Sequence, residues 1–206
     1  MEKDGVLRQK MLNDLKKEIF RKSIHLCAGF VPFFLAHFFV FTITALSSVA
    51  VLYIVCEFLR LKGIRVPLIS AVTETAARKR DDGRFVLGPV MLVLGIIATA
   101  LIFQPVPASI GIYALAFGDG FASLAGKLFG KHKLCCKKIT CGKTVEGSLA
   151  CFLAVLISSF AVTKKITISL VLAVVATLIE VLPLKDFDNL IIPVTIAFCS
   201  HILLTF

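Results

Sequence analysis

The chain has 206 residues, 58% of them hydrophobic and only 17% charged, with a mean hydropathy of +0.93. Charged residues normally make up about a quarter of a soluble domain, so the composition all but excludes a soluble fold. It also excludes a disordered chain and, with 13 Gly and 7 Pro, a collagen-like one. The net charge of +10 fits nucleic acid, anionic lipid, a polyanionic substrate or the positive-inside bias of membrane proteins, and the positions of the charges must decide among these.

Residues 6–20 are predicted to form an amphipathic helix lying in the membrane interface. Leu7, Met11, Leu15 and Ile19 recur every four residues with Lys and Asp or Glu between them. Seven apolar runs follow, at about 24–40, 42–59, 85–103, 106–127, 145–162, 166–183 and 189–206. A membrane-spanning helix takes roughly 20 residues, so spans and short loops account for the length. The expected architecture is an all-α, polytopic integral membrane helix bundle of about seven transmembrane helices with an N-terminal interfacial helix. It is read as one membrane domain, 1–206, in which 1–23 is a cytoplasmic amphipathic segment and 24–206 a catalytic bundle. The charged first 23 residues carry no signal-peptide pattern.

Lys and Arg outside the runs alternate. There are seven in the N-terminal segment, seven in 60–84, six in 127–143 and one at Lys185, against only Lys164 and Lys165 in the intervening turns. This asymmetry predicts a cytoplasmic N-terminus and a C-terminus on the opposite side. It explains most of the net charge without nucleic acid. Of the seven cysteines, Cys27, Cys56, Cys151 and Cys199 fall in apolar runs and Cys135, Cys136 and Cys141 in a predicted cytoplasmic loop, so disulfides are not expected. His132 with those three loop cysteines fits no closed zinc spacing.

Ionisable residues cost about 2.5–3.5 kcal/mol at mid-bilayer on insertion scales, and here they gather at the predicted cytoplasmic ends. Asp119 lies about two turns inside the fourth run between Gly118 and Gly120, and its partner should be Mg²⁺ or a lysine. Glycines around a carboxylate loosen a helix and let backbone approach a ligand. Equally, the small residues Gly120, Ala122, Ser123, Ala125 and Gly126 permit close helix packing. Lys127 and Lys143 each follow a glycine at a span boundary, whereas Lys131, Lys133, Lys137 and Lys138 read as solvated loop. Gly142-Lys143-Thr144 lacks the full P-loop signature but places a lysine and a hydroxyl at a helix N-terminus, a good place for phosphate. Glu146 is suited equally to capping and to binding metal. Arg21 and His25 share a helix face, as membrane anchors or as a phosphate clamp. Glu57 and Arg60 read first as an ion pair, and Glu180 with the Asp186–Asn189 stretch supplies further acids. His37 is assigned no role, and His201 is assigned to the core.

Arg21-Lys22-x-x-His25, Glu57-x-x-Arg60 and Gly88-Pro89 are followed by Gly118-Asp119-Gly120-x-Ala122-Ser123-x-x-Gly126-Lys127-x-x-Gly130, then Lys143-Thr144-x-Glu146-Gly147-Ser148, Asp188-Asn189 and Ile192-Pro193. Over residues about 18–193 this set resembles the CTP-dependent lipid-alcohol kinases: dolichol, phytol and farnesol kinases and fungal-type diacylglycerol kinases. These are related to the phosphatidate cytidylyltransferases, whose Gly-His-Gly-Gly…Asp-Arg ending is missing here. The resemblance implies transfer of the γ-phosphoryl group of CTP to a lipid alcohol, namely a polyprenol, a phytol-like isoprenoid or diacylglycerol. On that basis Asp119 is the leading Mg²⁺ ligand, with Glu146 and Asp188 as helpers. Arg21, Lys22, Lys127 and Lys143 hold phosphates beside His25, Gly118, Gly120, Gly126, Thr144 and Asn189. Glu57, Arg60 and Glu180 support them, and one of the acids accepts the alcohol proton. The alternatives are a cytidylyltransferase making a CDP-lipid and a small anion transporter. The transporter would need a polar path to the outer face, which has almost no polar residues.

Overall fold

The computed structural model describes residues 2–64, 83–134 and 143–205. Arg65, Arg78, Lys79, Arg80, Lys137, Lys138 and the three loop cysteines lie outside these residues, as do the side chains of Leu7 and Met11. Nine α-helices are described: α1 Glu2–Cys27, α2 Val31–His37, α3 Phe39–Leu61, α4 Gly88–Ile102, α5 Pro105–Tyr113, α6 Gly120–Leu128, α7 Val145–Thr163, α8 Ile166–Val181 and α9 Asp188–Thr205. A 3-10 turn at Ala28–Phe30 joins α1 to α2, and a π turn at Ala114–Asp119 joins α5 to α6. Among the described residues there is no strand, only an isolated antiparallel bridge between Lys133 and Thr144.

The seven apolar runs become seven apolar helical segments, and the protein is a polytopic membrane helix bundle. Five segments are long and apolar enough to cross a bilayer: Leu15–His37, Phe39–Leu61, Pro105–Leu128, Val145–Thr163 and Asp188–Thr205. The start differs from the sequence expectation. The amphipathic stretch is not a separate interfacial helix but runs unbroken into the first span as α1. The physical reason is local: no glycine or proline falls between Val6 and Ala28, and Pro32 comes only in the first turn of α2, where its missing N–H costs nothing.

The helix α4 has 15 residues and α8 has 16, about 22–24 Å at 1.5 Å per residue. Both fall short of a hydrocarbon core of about 30 Å. α4 begins and α8 ends on the same side of the bundle, where the chain between Val181 and Asp188 leaves helical geometry. Non-helical backbone at membrane depth is tolerated where it lines a cavity, and this segment does so.

Ile110, Ile112, Leu115, Val155, Leu172 and Ile196 form the most deeply buried core. Around them α9 packs on α4, α5 and α8, while α7 packs on α6, α8 and the π turn. Two glycines set the closeness of α9. A Cβ at Gly95 of α4 would collide with the Asn189 carbonyl oxygen, and one at Gly111 of α5 with that of Pro193. Phe33, Phe34, Phe41, Leu101, Ile157 and Leu178 are exposed on the outside, as a lipid-facing surface requires.

Gly95→Val should force α9 away from α4. Overpacking typically costs about 1–3 kcal/mol, so the detergent-solubilised variant should melt several degrees below wild type. An unchanged melting temperature would show that the crossing is not close.

Candidate active site

The π turn delivers Asp119 into the bundle, 4% exposed. Such turns widen a helix by one residue and recur at functional sites. An isolated buried carboxylate is very costly, and α1 supplies the counter-charge. Lys22 Nζ donates to Asp119 Oδ2, and His25 Nδ1 lies 3.2 Å from the same oxygen. Of the two partners predicted for Asp119, a lysine is therefore present in the chain itself.

One turn earlier on α1, Glu18 organises a second cluster. It accepts from Arg21, from Ser123 Oγ at 2.5 Å and from Lys127 Nζ at 2.6 Å, tying α1 to α6. Across the cavity, Lys143 donates to Glu180 Oε1 at the end of α8. An acid at a helix C-terminus opposes the helix dipole, and Lys143 offsets it. Burial works against the Lys143 ammonium, but Glu180, with Asp119 and Asp188 nearby, outweighs this and holds its pKa above the ordinary lysine value. The pair's contribution to stability is thus present below the unfolded lysine pKa and fades only as pH rises through the higher folded one.

Apart from His25, these groups wall a single cavity of about 460 Å³, lined also by Gly126, Thr144, Lys185 and Asp188. Arg21 Nε and Glu180 Oε2 are buried without a protein partner, so one donor and one acceptor of the wall remain unused. Asp188 spends one oxygen on the Asn189 N–H at 2.9 Å, at the start of α9. His25 and Asn189 face a neighbouring, more apolar cavity, and the Asn189 amide also holds the Gly88 carbonyl at 3.3 Å.

Several predicted site residues fall elsewhere. Gly118 and Gly120 do not line the polar cavity; a Cβ there would meet Val155 and Leu26 respectively, so both serve helix packing. Gly126 lines the cavity, but its missing side chain also admits Thr144, 2.9 Å from where a Cβ would be. Glu146 is not at the cavity. Its carboxylate takes the Lys131 and His132 amides at 3.0 and 3.1 Å and His132 Nδ1 at 2.8 Å, fastening the chain before the loop to α7. The start of α7 is not open to phosphate either. The Gly147 N–H is capped by Thr144 Oγ1 at 3.2 Å, and the Val145 N–H by the His132 carbonyl at 2.9 Å. Glu57 and Arg60 form a two-pronged pair at 2.8 Å that also binds the Val86 N–H and the Arg84 carbonyl, pinning α3 to the approach of α4.

Glu18 was not foreseen from the sequence. Its signal was present, since Glu18, Arg21, Lys22 and His25 recur at helical spacing on one face. No three His, Cys, Asp or Glu side chains converge on one point among the described residues. Mg²⁺, however, typically takes one or two carboxylates plus waters and substrate phosphates. Asp119 and Asp188, which line the same cavity as the unused Glu180 oxygen, fit that pattern; Glu146 does not.

No family profile and no solved structure matches the chain. Three curated proteins are similar to it. An uncharacterised protein of Methanocaldococcus jannaschii is 28% identical over 88% of this chain and 92% of its own length. A probable chloroplastic phytol kinase of Triticum aestivum is 26% identical over 92% of this chain and 68% of its own. A probable chloroplastic phytol kinase of Oryza sativa subsp. japonica is 23% identical over 97% and 68%.

Lys22→Met should leave Asp119 buried without its cation and cost about 3–5 kcal/mol. Adding Asp119→Leu should restore most of that stability without restoring function. A thermal-melt cycle in which the double variant is no more stable than Lys22→Met would contradict the pairing.

Proposed function

We propose that this protein is an integral-membrane kinase that moves the γ-phosphoryl group of CTP to a lipid alcohol at one face of the bilayer. The carrying observation is the single cavity into which Lys22 of α1, Lys127 of α6 and Lys143, just before α7, converge with Asp119 and Asp188. Phosphoryl transfer is largely positioning and charge stabilisation, and this is a wall built of charges on rigid elements. The distant phytol kinase relatives support the kinase chemistry, and the preference for CTP follows from the sequence resemblance.

In this proposal Arg21, Lys22, Lys127 and Lys143 exchange their carboxylate partners for phosphate oxygens as the nucleotide enters. The lipid hydroxyl forms a bond to the γ-phosphorus while the bond to the β-phosphate oxygen breaks. The nucleoside diphosphate leaves, and the hydroxyl proton passes to a cavity carboxylate. Asp119 and Asp188 would hold Mg²⁺, which when bound neutralises charge on the transferring phosphates. The cavity opens on the cytoplasmic side. Its end of the bundle holds Lys62, Arg84, Lys131 and Lys185, whereas Lys164 and Lys165 lie at the other end.

Purified protein should transfer label to lipid from γ-labelled CTP and not from α-labelled CTP. The reverse pattern would make it a cytidylyltransferase. Asp119→Asn should all but abolish transfer at unchanged expression, a loss on the order of 10²–10³-fold or more through the ion that would offset the transferring charge. Retention of wild-type rates would remove Asp119 from the mechanism. Lys143→Ala should act mainly on nucleotide KM.

A further inference from the structure

A second cavity of about 220 Å³ adjoins the polar one, and Arg21 and Lys22 line both. The rest of its wall is different in kind. Ile24 of α1, Val49 and Ala50 of α3, and Val90 and Val93 of α4 make it apolar, and His25 closes the end nearest Asp119. α3 packs against α2 and α4, so the cavity occupies the cleft between α3 and α1. Val49 both lines it and is 58% exposed, so the cleft reaches the bilayer-facing surface. It is therefore apolar at the lipid side, polar at the inner end, and joined at that end to the site of the charges.

We infer that this cleft is the acceptor site, and that it takes the hydroxyl end of a single-chain primary alcohol in preference to diacylglycerol. The identification of its occupant as the phosphoryl acceptor rests on the kinase proposal; the chain selectivity rests on shape. Pockets that enclose drug-sized ligands measure about 300–1,000 Å³. The cleft is smaller, so it encloses the first units of one chain while the remainder trails past Val49 into the bilayer. A glycerol bearing two ester-linked chains brings a branch and two carbonyls to the same point. The second chain would have to share a cleft of about 220 Å³ with the first, and overpacking a close-fitting space is costly. The shared wall at Arg21 and Lys22 explains how an apolar acceptor and an anionic donor meet without either crossing the other's cavity.

The test uses the full chain in lipid nanodiscs and a long single-chain primary alcohol carrying a diazirine close to its hydroxyl. Photolabelling should map to residues 24–25, 49–53 and 86–93. An unlabelled single-chain alcohol should suppress it at a concentration about tenfold or more below that needed for dioleoylglycerol. Ala50→Phe, which fills the cleft, should cut labelling by a similar factor, and competition in the wild type reads the same point should that variant fold poorly. Labelling scattered over the outer faces of α2, α3 and α8 without competition would overturn the inference, as would equal competition by dioleoylglycerol. Labelling of the cleft in a protein that transfers no phosphoryl group would uphold the selective site and remove the kinase proposal alone. A kinase equally active on both lipids and indifferent to Ala50→Phe would remove this inference alone.

Discussion

A carboxylate deep in an apolar bundle is the constraint from which the remaining geometry follows. Asp119 pairs with a lysine 97 positions away, and that pair can form only if α1 lies against the π turn. Once α1 is there, Glu18 one turn earlier reaches Ser123 and Lys127 on α6, and Leu26 one turn later fills the space that Gly120 leaves. The N-terminal segment, which composition alone would place on the membrane surface, is thereby recruited as a wall of the site.

Charge neutralisation also reconciles membrane insertion with a polyanion site. Four of the cavity cations rest on acids: Lys22 on Asp119, Lys127 and Arg21 on Glu18, Lys143 on Glu180. Paired charges are tolerated where lone ones are not. In the proposed reaction the phosphates compete for those same cations, releasing carboxylates beside the reacting group. The two helices that stop short of the bilayer thickness, α4 and α8, make room for this exchange at the end where the cavity lies.

The all-α membrane architecture and the position of every apolar run were legible in composition and run length, because membrane burial is a property of whole segments. The one-sided gathering of acids and bases was legible for the same reason. Which charge meets which was not, since pairing depends on how helices rotate against each other. Glu146 shows this: its place in the motif suggested the cavity, yet its carboxylate turns to the amides of residues 131 and 132. Gly118 and Gly120 show it again, since spacing cannot distinguish room for a ligand from room for Val155 or Leu26. Glu18 was passed over because it sits in a stretch whose charge pattern reads as solvated surface. The apolar cleft between α1 and α3 has no motif at all; it is a space defined by what does not touch.

The central claim is that the charged cavity is a nucleotide phosphate site opening to one side of the membrane. Ser123 sits on its wall beside Glu18, so the most direct measurement is modification of Ser123→Cys, with the seven native cysteines replaced, by a membrane-impermeant thiol reagent in oriented vesicles. The account predicts modification from the cytoplasmic face only and strong protection by CTP with Mg²⁺. Modification from the opposite face, or a rate that the nucleotide leaves unchanged, would contradict it.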